Sequence, residues 1–124
     1  MKDFRFRELD VCQKGLDLIN ALYDLSEHFL KEKIYCLASQ LRRAAISINL
    51  NIAEGNGRHN PNEQKQFYYL SRGSFFEIVA VLDICRKREY IPETEYQAFI
   101  QTCSDIQAKL NGLIKYAKEQ SASR

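Results

Sequence analysis

The stretch QLRRAAISINLNIAEG, residues 40–55, decides the fold of this chain. Its apolar side chains recur at steps of three and four residues, which is the period of an amphipathic α-helix. That apolar face comprises Leu41, Ala45, Ile48 and Ile52. We predict a helix over residues 35–54 that ends at Gly55, because glycine readily takes the left-handed conformation that stops a helix.

The same spacing on both sides of this stretch predicts three more helices, over residues 8–29, 61–87 and 92–119. Their expected core stripes include Leu16 in the first helix and Leu70 in the third. Short connections between long helices favour antiparallel neighbours. We therefore predict one all-α domain over residues 1–124, folded as an antiparallel up-down-up-down four-helix bundle.

The loop NGRHNP, residues 56–61, is the clearest break in the pattern. Asn60 is a predicted N-cap of the third helix, with Pro61 at the first helical position. Both residue types favour these places because asparagine accepts a hydrogen bond from a free backbone N–H and proline needs none.

Composition is that of a soluble globular chain, with 45% apolar and 27% charged residues. No apolar run approaches the roughly 20 residues that span a bilayer, and the opening MKDFRFRELD lacks a signal-peptide core, so we expect a cytoplasmic protein with no membrane contact. The four cysteines form no C-x-x-C pair. Cys12, Cys85 and Cys103 fit reduced core positions, and no metal or cofactor is expected.

Two helices carry more apolar surface than one bundle core can cover. On a helical wheel, a second apolar strip lies outside the core arc of helices two and three. The residues of this strip are Ile46, Leu50, Ala53, Phe76, Val79 and Ala80. We predict that they form a homo-oligomer interface. The alternative is that the tail or the loops cover them within a monomer.

A line of polar side chains flanks the apolar face of helix two at steps of 3, 4, 4 and 3 residues. This line consists of Gln40, Arg43, Ser47, Asn51 and Glu54, and helix three offers Ser71, Ser74 and Glu77. We expect an internal network in which Arg43 pairs with Glu54 or Glu77, because buried polar groups must be satisfied. An acid–base pair of Glu54 and Glu77 is the alternative, but no catalytic motif accompanies it, so we expect no enzyme.

Charge gives weak evidence for a nucleic-acid partner. The net charge is +2 and the pI is about 8.3, below the values above about 9 that are typical of dedicated nucleic-acid-binding domains. The candidate contacts are the residues Arg42, Arg58, His59, Lys65, Arg72, Arg86, Lys87 and Arg88. Taken singly, each of them is better explained as a solvated surface charge.

The string QLRRAAISINLNIAEG, followed by SRGSFFE at residues 71–77 and preceded by FRELDVCQKGLDL at residues 6–18, resembles the small four helix bundle protein family. That family is also called the 23S rRNA intervening-sequence protein family, since some members are encoded within insertions in bacterial 23S ribosomal RNA genes. The resemblance implies a left-handed antiparallel bundle that assembles into a homopentameric ring. It also implies a structural role for the characteristic polar residues Gln40, Arg43, Ser47, Asn51, Glu54, Ser74 and Glu77.

A related branch, the accessory protein of diversity-generating retroelements, partners a reverse transcriptase and binds nucleic acid. The weak charge of this chain departs from that branch. The sequence therefore leaves two hypotheses: an oligomeric module that binds RNA or DNA through basic surface residues, or a protein-interaction scaffold that touches no nucleic acid.

Overall fold

A computed structural model describes residues 3–123 of the chain. It contains a short 3-10 turn at Arg5–Glu8 followed by four α-helices. The helices are α1 (Asp10–Lys31), α2 (Tyr35–Asn56), α3 (Pro61–Lys87) and α4 (Glu93–Ala122). No strand occurs within the described range. The all-α prediction is confirmed, and each helix lies within three residues of its predicted bounds.

The four helices form a square in which sequence neighbours pack side by side. α1 packs on α2, α2 on α3 and α3 on α4, while α4 returns to α1. Within residues 3–123, the diagonal pairs do not come into contact. This arrangement is an up-down-up-down bundle, and the largest side chains of its core, such as Phe29 and Phe75, are fully buried.

Two residues that fit the apolar spacing lie outside the core. Leu16 and Leu70 are 61% and 58% exposed. Gly15 makes the close contact with α2. Leu16 is the next residue, so its side chain is rotated by about 100° around the helix axis, away from that contact. The apolar arcs of α1 and α3 are wider than the arcs that the bundle covers.

Helices α1 and α3 end in the same left-handed turn, although neither turn contains glycine. Lys33 and Glu89 have φ values of 63° and 62°. The next N–H group, from Ile34 or Tyr90, donates to a carbonyl five residues back at 2.8 Å, which is the Schellman arrangement. These two bonds satisfy helix-end carbonyls that would otherwise lack a partner.

At the other end of the bundle, one predicted cap is confirmed and one predicted stop is wrong. The Asn60 side-chain oxygen accepts from the Asn62 N–H at 2.8 Å, with Pro61 beginning α3. Gly55, in contrast, lies inside α2, and no glycine within residues 3–123 has a positive φ. Gly55 instead packs closely against Phe67 and Tyr68 of α3.

None of the helices formed by residues 3–123 has the length and apolarity needed to cross a membrane.

We predict that Lys33→Gly and Glu89→Gly each stabilise the fold. Glycine removes the roughly 1–2 kcal/mol cost of a left-handed conformation for other residues, and its own entropic penalty leaves a net gain of about 0.5–1 kcal/mol. Urea unfolding followed by circular dichroism measures the change. Glu32→Gly is the matched control, because Glu32 has φ −87° and should gain nothing. A loss of stability in both glycine variants would contradict this account of the turns.

Candidate functional site

The contact between α2 and α3 includes a close approach at a glycine and a buried interhelical hydrogen bond. The Ser71 hydroxyl donates to the Ile48 carbonyl at 2.9 Å, and both residues are fully buried. At Gly55 an added Cβ would lie 2.8 Å from Tyr68 Cε1 and 3.0 Å from Phe67 Cβ. The α2 backbone therefore approaches α3 at a distance that only glycine permits there.

The polar line of α2 lies beside this contact, and its inner members are satisfied within their own helices. Asn51 donates from Nδ2 to both the hydroxyl and the carbonyl of Ser47 at 2.9 Å. The Ser74 hydroxyl donates to the Leu70 carbonyl at 3.3 Å, one turn back along α3. Neither bond crosses from one helix to the other.

The charged members of the line lie on the surface of the chain, so the predicted internal network is wrong in this respect. Arg43 lies 3.7 Å from Glu77 across the two helices, with the side chains 69% and 43% exposed, and it also donates to Gln40. Glu54 pairs instead with Arg58 one turn along at 3.3 Å. Of the predicted pairings of Arg43, the one with Glu77 is thus present, in water rather than in the core.

Beside the polar line, large apolar side chains project from the outer side of α2 and α3. They are 40–61% exposed. We call the residues Ile46, Leu50, Leu70, Phe76 and Ile84 the outer apolar strip. Leu70 and Ile84 were not in the predicted interface set. Of that set, Ala80 is exposed, Ala53 is half-buried, and Val79 packs against the core, so Val79 is the weakest candidate.

The alternative in which loops or the tail cover this strip is not what the structure shows. Within residues 3–123, Leu50 and Phe76 each keep 61% of their surface open to solvent. Monomeric soluble proteins rarely leave a large contiguous apolar patch uncovered, and such patches mark association surfaces.

The predicted nucleic-acid residues do not converge on one face. Arg58, His59 and Lys65 lie at the end of the bundle formed by the α2–α3 loop. The cluster from Arg86 to Arg88 lies at the opposite end of α3, about 33 Å from Lys65 at 1.5 Å per residue.

Two of these arginines bond to residues of a neighbouring helix. Arg42 donates to the buried Ser26 hydroxyl at 2.6 Å, pairs with Glu27 and lies over the Tyr23 ring, so it fastens α1 to α2. Arg86 pairs with Glu93 at 2.6 Å and fastens the turn between α3 and α4.

The remaining arginines rest on aromatic rings. Arg58 lies 4.8 Å from the centre of the Phe67 ring, and Arg72 lies 5.0 Å from that of Tyr69. Arg88 donates to the Tyr90 hydroxyl at 3.4 Å, a bond that raises the pKa of the guanidinium. Such contacts hold the cation in place while leaving part of it open.

Reactive chemistry is sparse in the described part of the chain. Burial raises the pKa of the Cys12, Cys85 and Cys103 thiols to about 11, which keeps them protonated at neutral pH, as expected for core cysteines. Cys36 is exposed. No group of three or more His, Cys, Asp or Glu among residues 3–123 is placed to hold a metal ion.

One buried polar contact was missed by the sequence reasoning. Asn49 donates from Nδ2 to the Cys12 carbonyl at 3.0 Å, joining α2 to α1. Gly15 leaves the room for it, since a Cβ there would lie 2.1 Å from Asn49 Oδ1. The available signal was a glycine inside a strongly periodic helix, which often marks a close approach.

Comparison with known proteins agrees with this architecture. A family model described as 23S rRNA-intervening sequence protein matches residues 7–112. A solved structure at 1.70 Å resolution has a TM-score of 0.80 with 21% sequence identity, covering 85% of this chain and 98% of the other. It is a protein of unknown function from the S23 ribosomal protein family of Bacteroides thetaiotaomicron VPI-5482. At that identity the likeness shows the fold. No curated protein matches the chain.

We predict that Gly55→Ala and Gly112→Ala change stability in opposite directions. The alanine methyl at position 55 meets Tyr68 and Phe67, which we expect to cost about 1–3 kcal/mol through overpacking. At Gly112 nothing lies within 4 Å, and alanine should gain about 1 kcal/mol from helix propensity. Chemical unfolding of both variants gives the comparison. Equal gains at the two positions would show that α2 and α3 are not tightly apposed at Gly55.

Proposed function

This chain belongs to the 23S rRNA-intervening sequence protein family, and on that premise we propose that it is a non-enzymatic module that assembles with copies of itself through the outer apolar strip. The observation that carries the proposal is the exposure of five large apolar side chains on the outer side of two adjacent helices. Burial keeps the thiols of Cys12, Cys85 and Cys103 protonated, and no group of three or more His, Cys, Asp or Glu among residues 3–123 is placed to hold a metal ion.

The free energy gained by burying the outer apolar strip is comparable to the cost of association. Covering a half-exposed Leu, Ile or Phe removes about 100 Å² of apolar surface from water, which is worth about 2.5 kcal/mol at 25 cal/mol per Å². Five such residues contribute on the order of 10 kcal/mol per chain. Association costs roughly 4–15 kcal/mol in lost translational and rotational freedom, so the strip can offset most of that cost.

A closed ring fits this surface, and the family resemblance favours five copies. Five chains of 14.5 kDa have a mass of about 73 kDa. In a ring each copy presents two different faces to its neighbours, so no copy is left with an uncovered strip. On the helical wheel Glu77 lies between Leu70 and Ile84, and Arg43 lies next to Leu50, so the Arg43–Glu77 pair would set the register between neighbours.

We predict that Leu50→Asp and Phe76→Asp convert the assembly to monomers while the helix content stays unchanged. A carboxylate in the strip would have to be buried without a partner, which is strongly unfavourable. Size-exclusion chromatography with light scattering reports the mass. Leu16→Asp is the matched control, because Leu16 is as exposed as Leu50 but lies on α1 outside the strip. Retention of the wild-type mass by both strip variants would refute this interface.

A second candidate function is contact with RNA or DNA at the α2–α3 loop end of the bundle. It is favoured by the grouping of Arg58, His59 and Lys65 there, with the Arg58 guanidinium held over the Phe67 ring. A ring would repeat this group around one rim, and repeated weak phosphate contacts add up. A scaffold role without nucleic acid is the competing outcome.

We predict that the double variant Arg58→Ala/Lys65→Ala weakens RNA binding and lowers its salt dependence, because two phosphate contacts per chain are lost. Filter binding over a series of salt concentrations measures both quantities. Lys87→Ala at the opposite end is the control and should leave binding unchanged. If the wild-type assembly binds neither RNA nor DNA at low salt, the scaffold role is the one that remains.

A further inference from the structure

A groove runs between α1 and α4 on the side of the bundle opposite the α2–α3 contact. It has a volume of about 740 Å³ and is bounded by residues 17–28 of α1 and by residues 90–102 around the start of α4. The eleven helical rises between residues 17 and 28 make it about 16 Å long. It is lined by apolar side chains, including Leu18, Leu25 and Phe99.

Small side chains on α1 and α4 leave room for the groove between the two helices. Ala21 on α1 and Ala98 on α4 line it. Leu18 and Leu25 below them are 2% and 6% exposed and belong to the main core. The floor of the groove is therefore the bundle core itself.

Three carboxylates and one histidine, His28, line the groove. Asp17, Asp24 and Glu95 line it, and no lysine or arginine does. Asp17 and Asp24 are seven residues apart, which places them on the same side of α1, two turns and about 10 Å from each other. Glu95 stands on the α4 wall. The chain as a whole has a net charge of +2, so the acidic lining of the groove is opposite in sign to the net charge of the chain.

We propose that the α1–α4 groove binds a basic amphipathic helix of a partner protein, about three turns long. An apolar floor with charged walls is how grooves recognise amphipathic helices, with anchors at i, i+3 or i+4 and i+7. Lysine or arginine residues seven positions apart on the bound helix would face Asp17 and Asp24 together. Nucleic acid is a poor occupant, because the carboxylates repel its phosphates.

This surface is separate from the outer apolar strip. The strip lies on α2 and α3, and the groove is lined by α1, α4 and the turn that precedes α4. A ring also needs a second face on each copy, so the native mass of the groove variants is measured beside their peptide binding.

The test uses a fluorescent 14-residue helical peptide with leucine on one face and lysine on the other, titrated into the full chain and followed by anisotropy. Asp24→Lys should weaken binding about tenfold, equivalent to about 1.4 kcal/mol. Ala21→Trp should abolish binding, because the indole fills the groove. Glu119→Lys reverses an exposed carboxylate away from the groove and should bind as the wild type does. A second peptide with glutamate in place of lysine should not bind.

Three results would overturn the proposal. One is that the lysine peptide fails to bind the wild-type chain at low salt. Another is equal binding to the wild type, Asp24→Lys and Ala21→Trp, which would mean that the peptide attaches elsewhere. The third is a change in the native mass of folded Asp24→Lys and Ala21→Trp, which would make the groove an interface between copies. Circular dichroism confirms that each variant is folded.

Discussion

The close approach of α2 and α3 is the constraint on which the rest of the structure depends. The Ser71–Ile48 hydrogen bond and the absence of a side chain at Gly55 fix both the spacing and the register of the two helices. Once that register is set, Gly55 and Ser71 lie in the contact, and the bulky apolar residues Leu50 and Phe76 are left on the outside. The exposed strip is thus a consequence of tight packing within the chain rather than an unfilled part of the core.

Much of the fold follows from the sequence because helix period and capping are local properties. The four helices, the Asn60 cap and the buried cysteines each depend on residues within a few positions of one another. The apolar excess of α2 and α3 could also be read from the helical wheel. What the wheel cannot give is the width of the arc that a neighbouring helix covers, and that is why Leu16 and Leu70 were misplaced.

The candidate site was less predictable because its contacts depend on tertiary distances. Ser47 and Asn51 stand on the wheel as a row that would suit an interhelical network, yet their bond lies within one helix. Arg42 looked like a surface cation until α1 placed Ser26 and Glu27 beside it. Gly55 fits a helix stop and a helix contact equally well in sequence, and only the position of Tyr68 separates the two. The α1–α4 groove has no sequence signature, since it arises from small residues on helices far apart in the chain.

Three different surfaces therefore share one small bundle: the outer apolar strip on α2 and α3, which we propose for assembly, the groove between α1 and α4 with its three carboxylates, and the basic residues at the α2–α3 loop. The central claim is that the apolar side is buried in an assembly, and sedimentation equilibrium of the intact wild-type chain over a hundredfold range of concentration tests it most directly. The account predicts a constant mass that is a whole multiple of 14.5 kDa, about 73 kDa for a five-membered ring. A mass of 14.5 kDa at every concentration would contradict it.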